Sequence, residues 1–547
     1  MTYRVAVVLT TLLFVALLVA FVAWPLARVL QTSVTARDGI LTLRHYEELF
    51  TTWPALRLLV RSLALAVIST AITVGLAAVL AYAVTRTALP GRHVLSGITL
   101  LTLGAPPFLV ALALVLVIPW LGLEAAIGGF ARLVIAQVLT FLPHAYLVIA
   151  SVLATIDGAL EEAAENLGAR ALTILGRVTL ALARPGLVSA ALIVFVLSMA
   201  DFANPALVGG QYGVLATEVF YRATRNDFPS AATLGVVLLG PCLAAYLLAA
   251  CWRGARSPVA VPTPARSTRR PMARPLRWGL AVVAWTLGLA LVAVYATVIL
   301  GSVVTAWGSD WSLSATHYVG AGATARARAI LGSFGVAALA GILGTLVALA
   351  GAWVLERARP PGWRALAVAS GLPAALPGTV VGLGYLLAFH WPPVILTGTI
   401  WAPTASVVFW KLPVAVLAAS VALRRLAPGT EETAVSLGAG AAGTLWRVTL
   451  PLVLPSALAI SAYFFIQGMM TVSPMVFLVS RGFTVGSVEV LLQVDAGRQG
   501  AACAVTTIMV AIVGTVVLVL RGAIARAGVA MVEGLTMKPG FLGRGRS

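Results

Sequence analysis

Two acidic segments of the sequence could bind a partner, because they repeat each other residue by residue. The first reads EEAAENLGA from Glu161, and the second reads EETAVSLGA from Glu431, 270 residues further along. Acidic residues in a first helical turn suit the positive end of a helix dipole. The glycines, Gly168 and Gly438, tolerate a left-handed turn. Each segment therefore predicts a helix, a turn and a second amphipathic helix.

Helical spacing places three residues of each segment on one face of the helix. These are Glu161, Ala164 and Gly168 in the first copy, and Glu431, Ala434 and Gly438 in the second. Small residues on such a face would admit a close partner. A single copy could serve only to pack a connecting helix beneath its own bundle, whereas two copies at matching places favour a docking role.

Three ionisable residues stand inside long apolar stretches, where charge is costly and each is a functional candidate. Asp201, beside Asn204 and Pro205, either faces a cavity or caps the following turn, and the sequence leaves both open. Lys411 can extend to a water-filled cleft, which we favour over a direct role with substrate. His144 is expected to be an interior residue, with a ligand role as the alternative.

The sequence lacks the motifs of an ATPase or an enzyme. Its only two lysines are Lys411 and Lys538, neither preceded by glycine, so no phosphate-binding P-loop is present. No convergent cluster of His, Asp, Ser or Cys indicates catalysis. We therefore expect no enzymatic activity, no metal site and no cofactor, and energy must come from a partner or an ion gradient.

Composition shows what must position these groups: 60% of the 547 residues are hydrophobic and 10% are charged. That balance, and apolar stretches of about 20 residues, are typical of a polytopic membrane protein. The net charge of +19 does not indicate nucleic-acid binding, because the arginines are spread over short loops. The predicted spans are 5–27, 59–84, 95–118, 133–156, 187–207, 231–252, 278–303, 328–355, 365–389, 398–423, 455–479 and 502–521.

The order of elements repeats at half the chain length, which predicts two domains of six spans. Residues 1–252 form the first repeat with the acidic segment at 157–185, and residues 278–521 form the second with its segment at 427–455. Residues 253–277 are a linker rich in Pro and Arg, and 522–547 a tail. Since basic residues mark the cytoplasmic side, the linker, the tail and both termini are predicted to be cytoplasmic. An even number of spans gives both halves the same orientation. The predicted fold class is all-α, with about 12 transmembrane helices.

The paired segments resemble the coupling segment of binding-protein-dependent ABC permeases. The resemblance continues through RVTL, which occurs at Arg177 and again at Arg447. It implies a short cytoplasmic helix that docks on an ATPase subunit, and hence two copies of that subunit, an extracytoplasmic solute-binding protein and the bacterial inner membrane. The residues it implies for coupling are Glu161, Ala163, Ala164, Gly168, Glu431, Ala434 and Gly438. Thr433 departs from the first copy, which has Ala163 there.

Fusion of two such halves is similar to the ferric iron, thiamine and 2-aminoethylphosphonate permeases. The segments at 199–205 and 471–474 look most like the iron and phosphonate branches, which implies Asp201, Asn204 and Ser473 as candidates for the substrate path. Ferric iron is the expected cargo, with 2-aminoethylphosphonate, thiamine or polyamine as alternatives. A secondary transporter is the competing class, although it would give no reason for paired cytoplasmic segments.

Overall fold

The computed structural model describes residues 2–36, 39–254, 274–320, 322–392, 394–426 and 450–535. Between 427 and 449 it describes only positions 429, 433, 434, 436, 438 and 448. Most of the predicted linker and the last twelve residues of the predicted tail therefore lie outside the described residues.

The first half is helical throughout. Its helices are α1 (Val7–Ser33), α2 (Arg44–Thr51), α3 (Trp53–Arg86), α4 (Arg92–Gly104), α5 (Leu109–Trp120), α6 (Gly129–Thr155), α7 (Gly158–Asn166), α8 (Leu175–Met199), α9 (Ala203–Val208), α10 (Leu215–Thr224) and α11 (Phe228–Gly254).

The second half repeats that order and adds a short hairpin after its first helix. Its elements are α12 (Arg274–Val303), β1 (Val304–Ala306), β2 (Asp310–Leu313), α13 (Thr316–Val319), α14 (Ala323–Ala358), α15 (Trp363–Ala375), α16 (Gly378–Phe389), α17 (Trp401–Arg425), α18 (Leu450–Met470), α19 (Met475–Leu478), α20 (Gly486–Asp495) and α21 (Gln499–Leu535). The two strands pair antiparallel.

Among the described residues, ten helices are long and apolar enough to cross a membrane, and two bent helix pairs bring the total to twelve. This confirms the predicted all-α polytopic fold. The predicted spans 95–118 and 365–389 are the bent pairs, α4–α5 and α15–α16, which turn by 103° and 107°. The residue before a proline favours extended backbone, and both bends contain one, Ala105 before Pro106 and Leu376 before Pro377.

Two predicted boundaries were wrong at their C-terminal ends. Helix α8 ends at Met199 and α18 at Met470, short of the predicted 207 and 479, and the chain then forms buried short helices. Helix α21 continues to Leu535, although its candidate span ends at Ile524, close to the predicted 521. Apolar character alone does not separate a buried re-entrant turn from a span.

A matching hydrogen bond occurs in each half of the chain. The Ser62 hydroxyl accepts a bond from the Leu215 backbone N–H at 2.8 Å, and the Ser333 hydroxyl accepts one from the Gly486 N–H at 2.9 Å. Both donors and both acceptors are 271 residues apart. Each bond fastens the first turn of a short buried helix, α10 or α20, to a long span.

The first helix of each half packs against the other half. Tyr385 of α16 donates a hydrogen bond to the Phe21 carbonyl of α1 at 2.9 Å, and Phe14 packs over Gly351 of α14. Reciprocally, Trp285 of α12 packs over Gly91, the glycine at the start of α4. The exchange ties both repeats into one bundle.

Candidate coupling site and transport cavity

Helix α7 is short because both its ends are capped. The Asp157 carboxylate accepts a bond from the Ala159 N–H at 3.1 Å at the N-terminus. At the C-terminus Gly168 adopts φ +83°, and the Ala169 N–H donates back to the Ala164 carbonyl at 3.0 Å. A left-handed residue at this position is the usual helix stop. The predicted left-handed turn is thus confirmed here.

The face of α7 that points away from the helix bundle carries exposed acidic and small residues. Glu162, Ala163 and Glu165 are exposed and Ala164 is half-buried. Leu167, at the end of the helix, is 88% exposed, and Gly168 beside it is exposed as well. An apolar residue this exposed beside two carboxylates is suited to contact a partner surface.

Glu161 points the other way, into the protein, and is 2% exposed. Its carboxylate accepts a hydrogen bond from the Thr179 hydroxyl at 2.6 Å and lies 3.9 Å from the Arg86 guanidinium. The expectation that Glu161 shares a partner-facing surface with Gly168 is therefore corrected. Its side chain holds α7 to the bundle, because α3 and α8 supply its partners.

Arg86, the last residue of α3, joins three elements. Its Nη2 donates to the Leu153 carbonyl at 2.6 Å and to the Ile156 carbonyl at 2.7 Å, at the end of α6. Positive charge is favourable at a helix C-terminus. With Glu161 of α7 beside it, the guanidinium links two spans to the short helix.

The second half repeats this arrangement where it is described. Arg357 Nη2 donates to the Leu423 and Leu426 carbonyls at 3.2 and 3.4 Å. Gly438 adopts φ +86°, matching Gly168, and Ala434 is half-buried in a helical turn. Glu431 lies outside the described residues.

The arginine clamps of Arg86 and Arg357 were not predicted from the sequence, where basic residues served only as markers of the cytoplasmic side. The available signal was their separation of 271 residues, the same as that of the repeated prolines. Buried carbonyl acceptors leave no mark in a sequence, so the contacts themselves required the structure.

A cavity of about 150 Å³ lies where the two halves meet. One wall comes from the bend between α4 and α5 and from Thr140 and His144 of α6. The other comes from Tyr295 of α12, Trp410 of α17 and the end of α18. Ser473, which was a candidate for the substrate path, lies in this lining.

Asp201 and Asn204 form a buried hydrogen-bonded group beside that region, and the Asn204 side chain donates to the Thr140 hydroxyl of the cavity lining at 3.5 Å. The Asp201 carboxylate accepts bonds from the Asn204 side chain at 2.8 Å, the Asn204 N–H at 3.3 Å and Gln137 at 3.1 Å. This is the capping arrangement left open above, since Asp201 holds the start of α9. Neither residue lines the cavity at Ser473.

Known proteins with similar sequences decide the family. The model of the "Binding-protein-dependent transport system inner membrane component" family matches residues 74–252. The ferric transport system permease protein FbpB of Actinobacillus pleuropneumoniae is 31% identical over 80% of this chain and 67% of its own length. The putative FbpB 1 of Haemophilus influenzae is 30% identical over 73% and 67%. The chain belongs to this family of ABC permeases.

Shorter similarities extend to permeases that are named for other cargoes. The putative 2-aminoethylphosphonate permease PhnV of Salmonella paratyphi A is 30% identical, over 36% of this chain and 74% of its own length. As a binding-protein-dependent permease, the chain is a multi-pass protein of the inner membrane. The exposed face of α7 and the cavity between the halves are then the two candidate sites for a transport function.

Proposed function

We propose that this permease forms the complete membrane pathway of an importer and couples it to two separate ATPase subunits. The observation that carries the proposal is the left-handed backbone at both Gly168 and Gly438, in a chain whose halves also repeat the arginine clamps of Arg86 and Arg357. One chain thus presents two docking segments, at 157–185 and 427–455. A partner ATPase pair would engage both at once.

The contacts of Arg86 suggest how movement of α7 would reach the membrane. A partner that closes on Glu162, Glu165 and Leu167 pulls the short helix, and the buried Glu161–Arg86 pair transmits that displacement to α3 and α6. Because Glu162 and Glu165 are acidic and exposed, the docking cleft of the partner should be basic.

The domain arrangement follows from this placement. We propose that residues 1–252 and 278–521 form the two halves, that the linker and both termini are cytoplasmic, and that a solute-binding protein docks on the opposite side. Arg222, on the outward side of the first half, is engaged by Glu218 at 2.8 Å and Asp227 at 3.4 Å. The Arg222 guanidinium is therefore already paired with carboxylates and is not available to bind cargo.

We propose ferric iron as the cargo, with 2-aminoethylphosphonate as the alternative. The names of the two relatives that match most of the chain support iron, whereas the phosphonate permease matches one half. A secondary transporter is disfavoured by the family and by the paired docking segments.

The stoichiometry of the purified complex tests the proposal. Native mass spectrometry of the permease co-expressed with its ATPase should show one permease chain to two ATPase subunits. Two permease chains in a complex with two ATPases would contradict it.

A further inference from the structure

The cavity between the halves differs in size from the pocket at the corresponding place in the other half. Its counterpart, lined by Phe21, Tyr385 and Phe409, holds only about 20 Å³. Phe21 and Phe409 stack there with ring centroids 4.8 Å apart. In the first half, the residue that corresponds to Phe409 is Leu139. Because leucine is smaller than phenylalanine, the space that Phe409 fills in the second half is open here and forms part of the larger cavity.

Two basic side chains border the open cavity, of which Lys411 supplies the positive charge and His144 a hydrogen-bonding imidazole. His144 lines it, and Lys411 Nζ lies 3.5 Å from the ring centroid of Trp410, another lining residue. Lys411 is also close enough to interact electrostatically with His144. By the internal repeat, Phe141 corresponds to Lys411 and Val414 to His144. Both basic groups are therefore departures from the repeat, and both occur at the cavity.

The backbone adds to this positive character. Pro106, Pro107, Leu109 and Val110 line the cavity at the point where α5 begins. The N-terminus of a helix carries partial positive charge, which favours an anion.

Negative side chains are missing from the same lining. Within the described part of the chain, no Asp or Glu lines this cavity. The nearby Asp201 is occupied by Gln137 and Asn204. A bare trivalent cation prefers carboxylate oxygen ligands and would be repelled by Lys411 at membrane depth, where charges are weakly screened.

We propose that this cavity passes cargo that carries anionic oxygen groups, with the Lys411 ammonium as the positive group that attracts them and the His144 imidazole as a hydrogen-bond donor to them. The inference rests on the proposed transport function and deepens it: iron would pass as a complex with an anionic ligand. An alkyl phosphonate presents the same chemistry, and the experiment distinguishes the two sources.

The test uses proteoliposomes that contain the permease with its ATPase and binding protein. Uptake of radiolabelled ferric citrate and of radiolabelled 2-aminoethylphosphonate is measured for the wild type, Lys411→Gln and Lys411→Arg. Lys538→Gln is the matched control, since it makes the same change at the chain's other lysine. Co-purification with the ATPase establishes that each variant is assembled.

We expect Lys411→Gln to lower uptake of the transported cargo at least tenfold, Lys411→Arg to retain most of it, and Lys538→Gln to leave it unchanged. Unchanged or faster uptake by Lys411→Gln would overturn the inference. The wild type could transport the phosphonate and not ferric citrate, with phosphonate uptake lowered in Lys411→Gln. That result would support the cavity inference and contradict the proposal that iron is the cargo.

Discussion

Arg86 Nη1 lies 3.9 Å from Glu161 Oε2, and the two side chains are only 2% and 3% exposed. The same guanidinium is bonded to the last carbonyls of α6. A buried ion pair therefore stands between the exposed docking face of α7 and two membrane helices, and several predictions about coupling depend on it.

Loss of either partner of this pair should uncouple ATP hydrolysis from transport. Breaking a buried pair by removing one charge typically costs about 3–5 kcal/mol, so α7 would no longer be held to α3. We expect Glu161→Gln and Arg86→Gln to lower uptake per ATP hydrolysed about tenfold or more, since about 1.4 kcal/mol corresponds to a factor of ten. Coupled uptake and phosphate-release assays measure the ratio.

Glu162→Gln is the matched control for Glu161→Gln, because it makes the same change one position away on the exposed face. It should affect affinity for the ATPase more than the coupling ratio. If the Glu161→Gln variant kept the wild-type ratio of uptake to ATP hydrolysis, the Glu161–Arg86 pair would have no role in coupling. Glu161→Lys should be more severe, because it places like charges together inside the protein.

The two left-handed glycines should be sensitive to substitution through the backbone. An ideal Cβ at Gly168 or Gly438 meets nothing within 4 Å, so the penalty is the φ value, about 1–2 kcal/mol for a residue with a Cβ. Gly168→Asp and Gly438→Asp also add charge beside the docking face. We expect the double variant to insert normally and to lose uptake.

Gly176→Ala is the control for the glycine variants, because Gly176 is exposed, has no neighbour within 4 Å and does not adopt positive φ. It should transport normally. Gly168→Asn should be milder than Gly168→Asp, since asparagine tolerates the left-handed region and adds no charge. Wild-type uptake by the double aspartate variant would contradict a docking role for both segments.

The repeated serine contacts should contribute to stability in both halves. Ser62→Ala and Ser333→Ala each leave a buried N–H, of Leu215 or Gly486, without its acceptor. Such a loss costs about 1–3 kcal/mol. We expect a lower thermal unfolding midpoint for each variant in detergent, with similar shifts for the two. A shift in one variant alone would argue against equivalent roles.

Asp201→Asn separates the two interpretations of that residue. As the acceptor of three hydrogen bonds at the start of α9, Asp201 should matter for folding, so the variant should lose thermal stability and transport in proportion to its folded amount. A stable, fully assembled variant with a slow transport rate would instead place Asp201 on the substrate path.

The sequence was sufficient for the all-α polytopic fold and the left-handed turns, because apolar length and glycine placement are local signals. The recurrent prolines Pro106 and Pro377 marked kinks, but turns of 103° and 107° required the structure, since an apolar run carries no information about its direction in the membrane. The inward orientation of Glu161 was also missed, because its partner Arg86 is distant in the sequence. The cavity depends on the packing of α12 against the opposite half, which no local pattern specifies.

ATP-dependent uptake by the reconstituted importer tests the central claim most directly. Proteoliposomes containing one permease chain per ATPase pair, with binding protein outside and ATP inside, should accumulate radiolabelled ferric iron supplied as citrate. Vanadate should abolish that uptake, and a protonophore should leave it unchanged. Accumulation that persists without ATP and collapses with the protonophore would contradict the account.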